Sequence, residues 1–180
     1  MSTVQDKPTP DQQKNVMVGV GCFVTYKDEE ETEDPYSIDP KEKGIRILIG
    51  QRKGSIGNGT YQLAGGHVEL WETFEECAKR EILEETNLDL PLEDMKFVTA
   101  VNSIMREENR HYITLFVWCP IKDKSVLKNL KVMEPEKLKG EWEWVSIEQL
   151  KKRTPLFKPL VKFIEERDFS FLTSYYNKEK

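Results

Sequence analysis

Long apolar runs and dense basic runs are both missing from this chain of 180 residues. No apolar stretch approaches the ~20 residues that a membrane-spanning helix needs, so the sequence predicts no membrane contact. The net charge is -5, and the densest basic run is the short segment 151–153. Proteins that hold duplex DNA usually carry a basic patch, so a stable nucleic-acid partner is not expected.

Cysteine is also scarce. Cys22, Cys77 and Cys119 are widely spaced and odd in number, and no two of them form the C-x-x-C pair of a zinc or redox site. Their apolar neighbours indicate buried thiols in a reducing compartment. Residues 1–14 are polar and lack the apolar segment of a secretory signal peptide. A cytoplasmic location, or a nuclear one, is therefore expected.

The remaining pattern predicts one domain of mixed strands and helices. Apolar runs predict strands at residues 16–24, 45–49, 61–63, 96–105, 111–119 and 141–145. The domain is expected to span residues 15–172, between a flexible tail at 1–14 and a C-terminal tail at 173–180. Segment 27–43 is acidic and has no apolar period, which predicts a mobile surface insertion. Strands flanked by helices, with hairpins among them, indicate a mixed sheet packed between helices.

Helix signals are clearest after residue 72. Thr73 and Glu76 are spaced as a capping box, in which each side chain accepts a hydrogen bond from an otherwise unpaired backbone amide. Asn87 tolerates the left-handed conformation in which helices often end. These signals predict a helix over 73–87. Two more helices are predicted, one after a second capping box at 146–149 and one at 158–167.

The first of these helices places carboxylates on its apolar face. A helical wheel puts on that face Phe74, Cys77, Ala78, Leu88 and, at its edge, Ile82. The wheel turns four other side chains away from that face, namely Glu75, Glu76, Lys79 and Thr86. Glu81 and Glu85 fall within the apolar arc, and Glu84 lies at its border. Burying an unpaired carboxylate is costly, so these groups either pair with a cation such as Arg80 or bind a divalent metal with oxygen ligands. A solvated surface helix rich in Glu is the alternative.

The segment from Gly66 to Leu88 resembles the Nudix box. That box is Gly, five residues, Glu, seven residues, Arg-Glu, an aliphatic residue, any residue, Glu-Glu, any residue, Gly and an aliphatic residue. Only the final Gly differs, as Asn87, which also suits a helix end. Segments 52–57, 61–67 and 142–145 are similar to the small eukaryotic, MutT-like nucleoside-triphosphate diphosphatases of this family. The resemblance implies an α/β/α sandwich around a central mixed β-sheet.

By this resemblance the chain is expected to be a hydrolase that uses Mg²⁺, with Mn²⁺ as a substitute. It would convert a nucleoside triphosphate to the monophosphate and pyrophosphate, in keeping with removal of damaged nucleotides. The metal ligands implied are Glu81, Glu84, Glu85 and the carbonyl of Gly65. Either Glu84 or Glu81 is implied as the general base. Arg80 precedes Glu84 by four residues, so the two side chains are expected to pair.

Six further residues are candidates for substrate contact, namely Arg52, Lys53, His67, Thr114, Trp142 and Trp144. Arg52 and Lys53 suit phosphate at the end of a strand, although a solvated basic pair is the alternative. His67 stands beside the metal loop. The two tryptophans share one strand face, which suits a base pocket, with at least one expected in the core. Thr114 lies on the hairpin that would border this pocket or a dimer contact.

Several alternatives stay open at this stage. ADP-ribose, diadenosine polyphosphates and capped RNA are substrates of other Nudix subgroups, and a non-catalytic nucleotide sensor belongs to a different class. The sensor is disfavoured because none of the metal carboxylates is lost. A further metal or base role is open to Glu107, Glu108, Glu141 and Glu143. The resemblance also implies a homodimer.

Overall fold

The structure, a computed structural model, describes residues 15–28, 42, 44–54 and 56–177. The predicted tail at 1–14 lies outside these residues, and so does most of the predicted insertion at 27–43. Residue 27 itself ends the first strand. In the described part of the chain, no helix is long and apolar enough to cross a membrane.

In the part of the chain that the structure describes, six strands form one mixed sheet. They are β1 (Met17–Lys27), β2 (Ile45–Arg52), β3 (Tyr61–Gln62), β4 (Lys96–Met105), β5 (Arg110–Pro120) and β6 (Leu138–Val145). The strand order is β3-β2-β1-β5-β4, and β6 pairs with β2. β1 runs parallel to β5, whereas the other named pairs are antiparallel. Each predicted strand is present, and β2 continues three residues further than expected, to the loop that carries Lys53.

Within the described ranges, four α-helices cover the sheet. They are α1 (Phe74–Thr86), α2 (Ile147–Lys152), α3 (Lys158–Glu166) and α4 (Ser170–Tyr176). Cys22 and Val24 of β1 pack in a core cluster with Ile82 of α1. Phe23, which points to the opposite face, packs with Phe163 of α3 in a second cluster that also receives side chains from α2 and α4. The predicted sandwich of helices on both faces of a mixed sheet is therefore confirmed.

Helix α4 differs from the expectation of a tail beginning at residue 173. Its Leu172 is fully buried and Tyr176 is 5% exposed. The Tyr176 hydroxyl and Thr25 Oγ1 share a buried hydrogen bond of 2.8 Å, and Trp118 Nε1 donates to the same Thr25 oxygen at 2.8 Å. The N-cap residue Phe169 makes no side-chain cap, and at this end Asp168 Oδ1 accepts from the Ser170 amide at 2.9 Å. Tertiary packing, which local sequence signals do not reveal, therefore holds it in place.

Thr25→Val should lower the free energy of unfolding by about 1–3 kcal/mol, because the Tyr176 hydroxyl and the Trp118 indole N–H both lose their hydrogen bond with Thr25 Oγ1. Urea unfolding measures the change. Thr99→Val is the matched control, since Thr99 Oγ1 accepts only an exposed hydrogen bond from Arg167. Equal losses in the two variants would contradict an anchoring role for Thr25.

Candidate active site

Helix α1 begins and ends as its sequence predicts. Thr73 Oγ1 accepts from the Glu76 amide at 3.2 Å, and the Glu76 carboxylate accepts from the Thr73 amide at 2.8 Å. Asn87 adopts the left-handed conformation at φ 60°, and its N–H donates to the Leu83 carbonyl at 3.0 Å. These local caps fix where the helix starts, and so they fix which turns carry the carboxylates.

The buried face of α1 carries carboxylates as predicted. Glu81 is 9% exposed and Glu85 is 7% exposed, whereas Glu84 is exposed at the border. Two assignments on the wheel are wrong. Phe74 is 41% exposed, and its ring lies beside that of the exposed edge residue Phe97, with centroids 6.1 Å apart. Thr86 is fully buried, since its hydroxyl donates to the Ile82 carbonyl within the helix.

Glu85 is the most deeply buried of the three carboxylates. Its Oε2 accepts a hydrogen bond from the Gly65 amide at 2.9 Å. Burial nevertheless raises the pKa of Glu85 to about 8, and the nearby Glu81 charge adds to the effect. Burial also raises the pKa of Glu81, although Arg80 opposes this shift. Both side chains are therefore costly to keep ionised unless a cation lies beside them.

Arg80 connects the acidic side chains of this region. Its guanidinium donates to both oxygens of Glu72, at 2.8 and 3.0 Å, to Glu81 at 2.8 Å and to Glu84 at 3.2 Å. It also donates to the His67 carbonyl at 3.0 Å. The pairing expected between Arg80 and Glu84 is present. The hydrogen bonds from Arg80 lower the pKa of Glu72, so this loop carboxylate is held in its ionised form.

The Gly65–Gly66 bend has no room for side chains. A Cβ on Gly66 would lie 2.1 Å from Glu81 Oε1, and a Cβ on Gly65 would lie 2.1 Å from the Val20 carbonyl oxygen. Gly65 also has φ +153°. The bend places the Gly65 amide against Glu85 and the Gly66 backbone against Glu81, both on α1.

A cavity of about 620 Å³ opens at this bend. It is lined by nine of the sequence candidates, namely Arg52, Lys53, Gly65, His67, Arg80, Glu81, Glu84, Glu85 and Thr114. Apolar side chains line it as well, including Leu63, Phe116, Phe157 and Leu160. The carboxylates come from α1, on one face of the sheet. Phe116 and Leu160 belong to the core on the opposite face. The cavity therefore joins a carboxylate side to an apolar side.

The cationic candidates at the end of β2 are held in place by backbone carbonyls. Arg52 Nε donates to the Ile56 carbonyl at 2.9 Å, and its guanidinium lies 4.4 Å from the centre of the Phe157 ring. Burial lowers the pKa of Arg52. Lys53 Nζ donates to the Pro135 carbonyl at 3.3 Å. A solvated basic pair is therefore the wrong description for Arg52.

Trp142 and Trp144 are not among the residues that line the cavity. Trp142 is 8% exposed in the core beneath α1, where its Nε1 donates to the Glu85 carbonyl at 3.1 Å. Trp144 packs edge-to-face on Tyr26, with centroids 4.9 Å apart. The face of β6 that they share meets the α1 side of the sheet, so neither side chain borders the cavity, and Trp142 is the one that lies in the core as expected. Trp142 instead supports the backbone of a carboxylate residue.

The four glutamates to which the sequence left open a further metal or base role do not line the cavity. The cavity lining does not include Glu107, Glu108, Glu141 or Glu143, and Glu143 pairs with Arg153 at 2.7 Å. Glu136 and Lys137 line the cavity instead. Glu134 binds Lys137 Nζ at 2.7 Å, while its Oε2 is buried without a hydrogen-bond partner among the described residues. Only the folding of the 131–137 segment against α1 brings these residues to the site.

The donor set suits a hard divalent cation. In the described residues no group of three or more His, Cys, Asp or Glu side chains is already arranged around a metal position. Arg80 and the Gly65 amide hydrogen-bond to Glu81 and Glu85. All the candidate ligands are nevertheless oxygen atoms, which favours Mg²⁺ or Mn²⁺ over zinc. Two of the carboxylates are buried at raised pKa, so the residues fit a bound cation.

Comparison with known proteins agrees with this fold. The family model described as the NUDIX domain matches residues 36–166, which is more than half of the chain. The chain therefore belongs to the NUDIX domain family. The MutT protein of Methanosarcina mazei Go1 has a similar solved structure, with TM-score 0.62 and 19% identity over 92% of this chain and 98% of that one.

Curated relatives match over a shorter stretch. The oxidized purine nucleoside triphosphate hydrolase of Danio rerio is 44% identical over 43 residues, which cover 24% of this chain and 28% of the relative. The ADP-ribose pyrophosphatase of Methanocaldococcus jannaschii is 49% identical over 47 residues, or 26% of this chain and 28% of the relative. The match thus spans less than a third of the length of each of these relatives.

Glu85→Gln should raise the melting temperature of the metal-free protein by several degrees, since a domain of this size gains ~2–4 °C per kcal/mol. The folded wild type keeps the Glu85 proton up to about pH 8, whereas the unfolded chain loses it near the ordinary value of 4.5. Wild-type stability therefore falls as pH rises through this window. The advantage of the variant should grow from low pH to about pH 8, as measured by thermal unfolding in EDTA.

Excess Mg²⁺ should make the wild type more stable than Glu85→Gln, because the wild type gains metal-binding free energy that Gln cannot supply. Glu75→Gln serves as the control, since Glu75 lies on the same helix but not on the cavity. A Glu85→Gln variant that is less stable than wild type in EDTA would show that the carboxylate stabilises the metal-free fold.

Proposed function

We propose that this protein is a metal-dependent hydrolase that converts a nucleoside triphosphate to the monophosphate and pyrophosphate. The observation that carries the proposal is the single cavity that joins the carboxylates of α1 to the apolar side chains on the other face of the sheet. Its volume of about 620 Å³ lies within the usual range of small-molecule sites. A nucleotide has matching parts, an apolar base and an anionic phosphate chain that requires cations.

The metal would be held by Glu81, Glu84, Glu85 and the carbonyl of Gly65. A bound Mg²⁺ or Mn²⁺ supplies positive charge to the phosphate oxygens and lowers the pKa of a bound water. Arg80 holds Glu81 and Glu84 in defined positions through hydrogen bonds of 2.8 and 3.2 Å. It therefore limits the reorganisation needed when the cation binds.

Glu84 is the better candidate for the general base, with Glu81 as the alternative. The Glu84 side chain is 52% exposed, whereas that of Glu81 is 12% exposed and is paired with Arg80 at the shorter distance. A base must reach the proton of the attacking water, which favours the more accessible carboxylate. Arg80 would orient Glu84 in either case.

The base of the nucleotide would lie on the apolar side, against Phe116, Phe157 and Leu160. Phe157 is already stacked by the Arg52 guanidinium, so a cation and an aromatic ring are presented together. Thr114 supplies a hydroxyl beside these groups. Lys53 and Lys137 would contact the phosphates from the end of β2 and from the neighbouring loop.

ADP-ribose is a second candidate substrate. It shares the nucleoside diphosphate of the first candidate, and the relative from Methanocaldococcus jannaschii, named as an ADP-ribose pyrophosphatase, supports it. The relative from Danio rerio, named as an oxidized purine nucleoside triphosphate hydrolase, supports the triphosphate. We further infer a cytoplasmic homodimer without a nucleic-acid partner, supported by the family resemblance and the net charge of -5.

A panel of ordinary and oxidised nucleoside triphosphates, dinucleoside polyphosphates and ADP-ribose tests the proposal. With Mg²⁺ we expect a triphosphate to yield monophosphate and pyrophosphate, identified by ion-exchange chromatography, and EDTA should abolish the reaction. Release of inorganic phosphate instead would contradict the bond assignment, and preference for ADP-ribose would favour the second candidate.

Glu84→Gln is the matched variant for this panel. It should lower kcat on the order of 10²- to 10⁴-fold, as expected for loss of a general base, with an unchanged melting temperature. Wild-type kcat in this variant would leave Glu81 as the candidate base.

Phe157→Ala should raise KM roughly 5- to 150-fold, since a base that stacks on an aromatic side chain contributes about 1–3 kcal/mol. The KM of the best triphosphate in the panel measures the effect. Phe97→Ala is the control, because Phe97 is a half-exposed ring on the edge strand β4 and does not line the cavity. An unchanged KM in Phe157→Ala would place the base elsewhere.

A further inference from the structure

We propose that Tyr112 is a positioning residue that orients the His67 imidazole toward a phosphate oxygen of the bound nucleotide. The inference rests on the proposed function, because it assumes that a phosphorylated ligand occupies the cavity. It adds a hydrogen-bonded pair at the rim to the carboxylates and cations described above.

The two side chains contact each other directly. The Tyr112 hydroxyl lies 3.0 Å from His67 Nε2, and the ring centroids are 5.5 Å apart with planes inclined at 40°. Both residues line the cavity. A solvent-exposed histidine without such a partner would sample several rotamers, so the contact with Tyr112 restricts where the imidazole points.

The hydrogen bond between His67 and Tyr112 crosses β1 at Gly19, which has no side chain there. His67 forms an antiparallel bridge with Gly19 on one side, and β5 pairs with β1 on the other, where Gly19 is the partner of Thr114. A Cβ on Gly19 would lie 3.2 Å from the Gly66 carbonyl oxygen and 3.9 Å from the Tyr112 ring. The hydrogen bond thus joins two walls of the cavity across a strand that lacks a side chain at this point.

The backbone of His67 is tied to the carboxylates. Its carbonyl accepts from Arg80 at 3.0 Å and from Cys77 Sγ at 3.4 Å. The preceding residue, Gly66, touches the carboxylate of Glu81. These contacts place His67 on the carboxylate side of the cavity, where the phosphate chain would lie.

The chemistry of the pair suits an anionic oxygen. When the Tyr112 hydroxyl donates to Nε2, the proton of the neutral imidazole resides on Nδ1. That N–H is then a donor for a phosphate oxygen. Without Tyr112, the ring would be free to exchange tautomers and to rotate, and part of the binding free energy would be spent on ordering it.

Tyr112→Phe removes the hydroxyl and keeps the ring. Binding is measured by calorimetry with Mg²⁺ and the α,β-methylene analogues of ATP and GTP, which resist cleavage at the bond of interest. We expect Kd to rise about 2- to 10-fold, as for the loss of one hydrogen bond. In the panel assay, KM should rise while kcat is nearly unchanged.

A double-variant cycle tests whether Tyr112 acts through His67. His67→Ala should weaken binding at least as much as Tyr112→Phe, and adding Tyr112→Phe to it should cost nothing further. His111→Ala is the matched control. It removes the other of the two histidines, which is hydrogen-bonded to Asn102 on the same hairpin and does not line the cavity, so Kd should not change.

Long-range ¹H–¹⁵N spectra of the histidine rings provide a readout that does not depend on turnover. Tyr112→Phe should shift the His67 nitrogen signals and leave those of His111 in place, with His111→Ala providing the assignment. Additive losses in the cycle, unshifted His67 signals, or a wild-type protein that binds neither analogue would overturn the proposal. Tight binding of the analogues with no hydrolysis in the panel would refute the proposed function and leave the role of Tyr112 standing.

Discussion

The burial of Glu81 and Glu85 against the Gly65–Gly66 bend is the constraint on which the rest of the site depends. Two carboxylates in a poorly solvated position repel each other and lose hydration. Arg80 compensates for Glu81, but Glu85 receives only one backbone amide, and its pKa rises to about 8. The fold thus disfavours the ionised form of Glu85, which a bound divalent cation would stabilise, and the metal-free protein is less stable near neutral pH as a result.

Much of this arrangement could be predicted from local sequence. The capping box at Thr73, the left-handed Asn87 and the spacing of Glu81 and Glu85 all act within one helix, so the sequence determines them directly. The Gly65–Gly66 bend, in contrast, was singled out only through the resemblance to the Nudix box. A Cβ atom on Gly66 would collide with Glu81, and one on Gly65 would collide with Val20. These clashes explain why both residues must be glycine.

Residues that reach the site through tertiary packing could not be predicted in this way. Trp142 and Trp144 were assigned to one strand face correctly, but the sequence does not say which layer of the sandwich that face meets. Phe157 stands at the start of α3 and carries no local signal of its role. Phe116 is the exception, since it lies two residues after Thr114 on β5, and the period of two places both side chains on one face.

The charges around the cavity show why nucleotide and metal would bind together under the proposed function. Among the described lining residues, Arg80 forms ion pairs with three carboxylates, those of Glu72, Glu81 and Glu84. Lys137 forms an ion pair with Glu134. Under the proposed function, few cations, Lys53 and the already paired Lys137, then meet a triphosphate that carries several negative charges. The carboxylates of α1 would repel that chain in the absence of metal. A divalent ion changes the sign of this interaction, so the acidic helix that would exclude the substrate becomes the element that binds it.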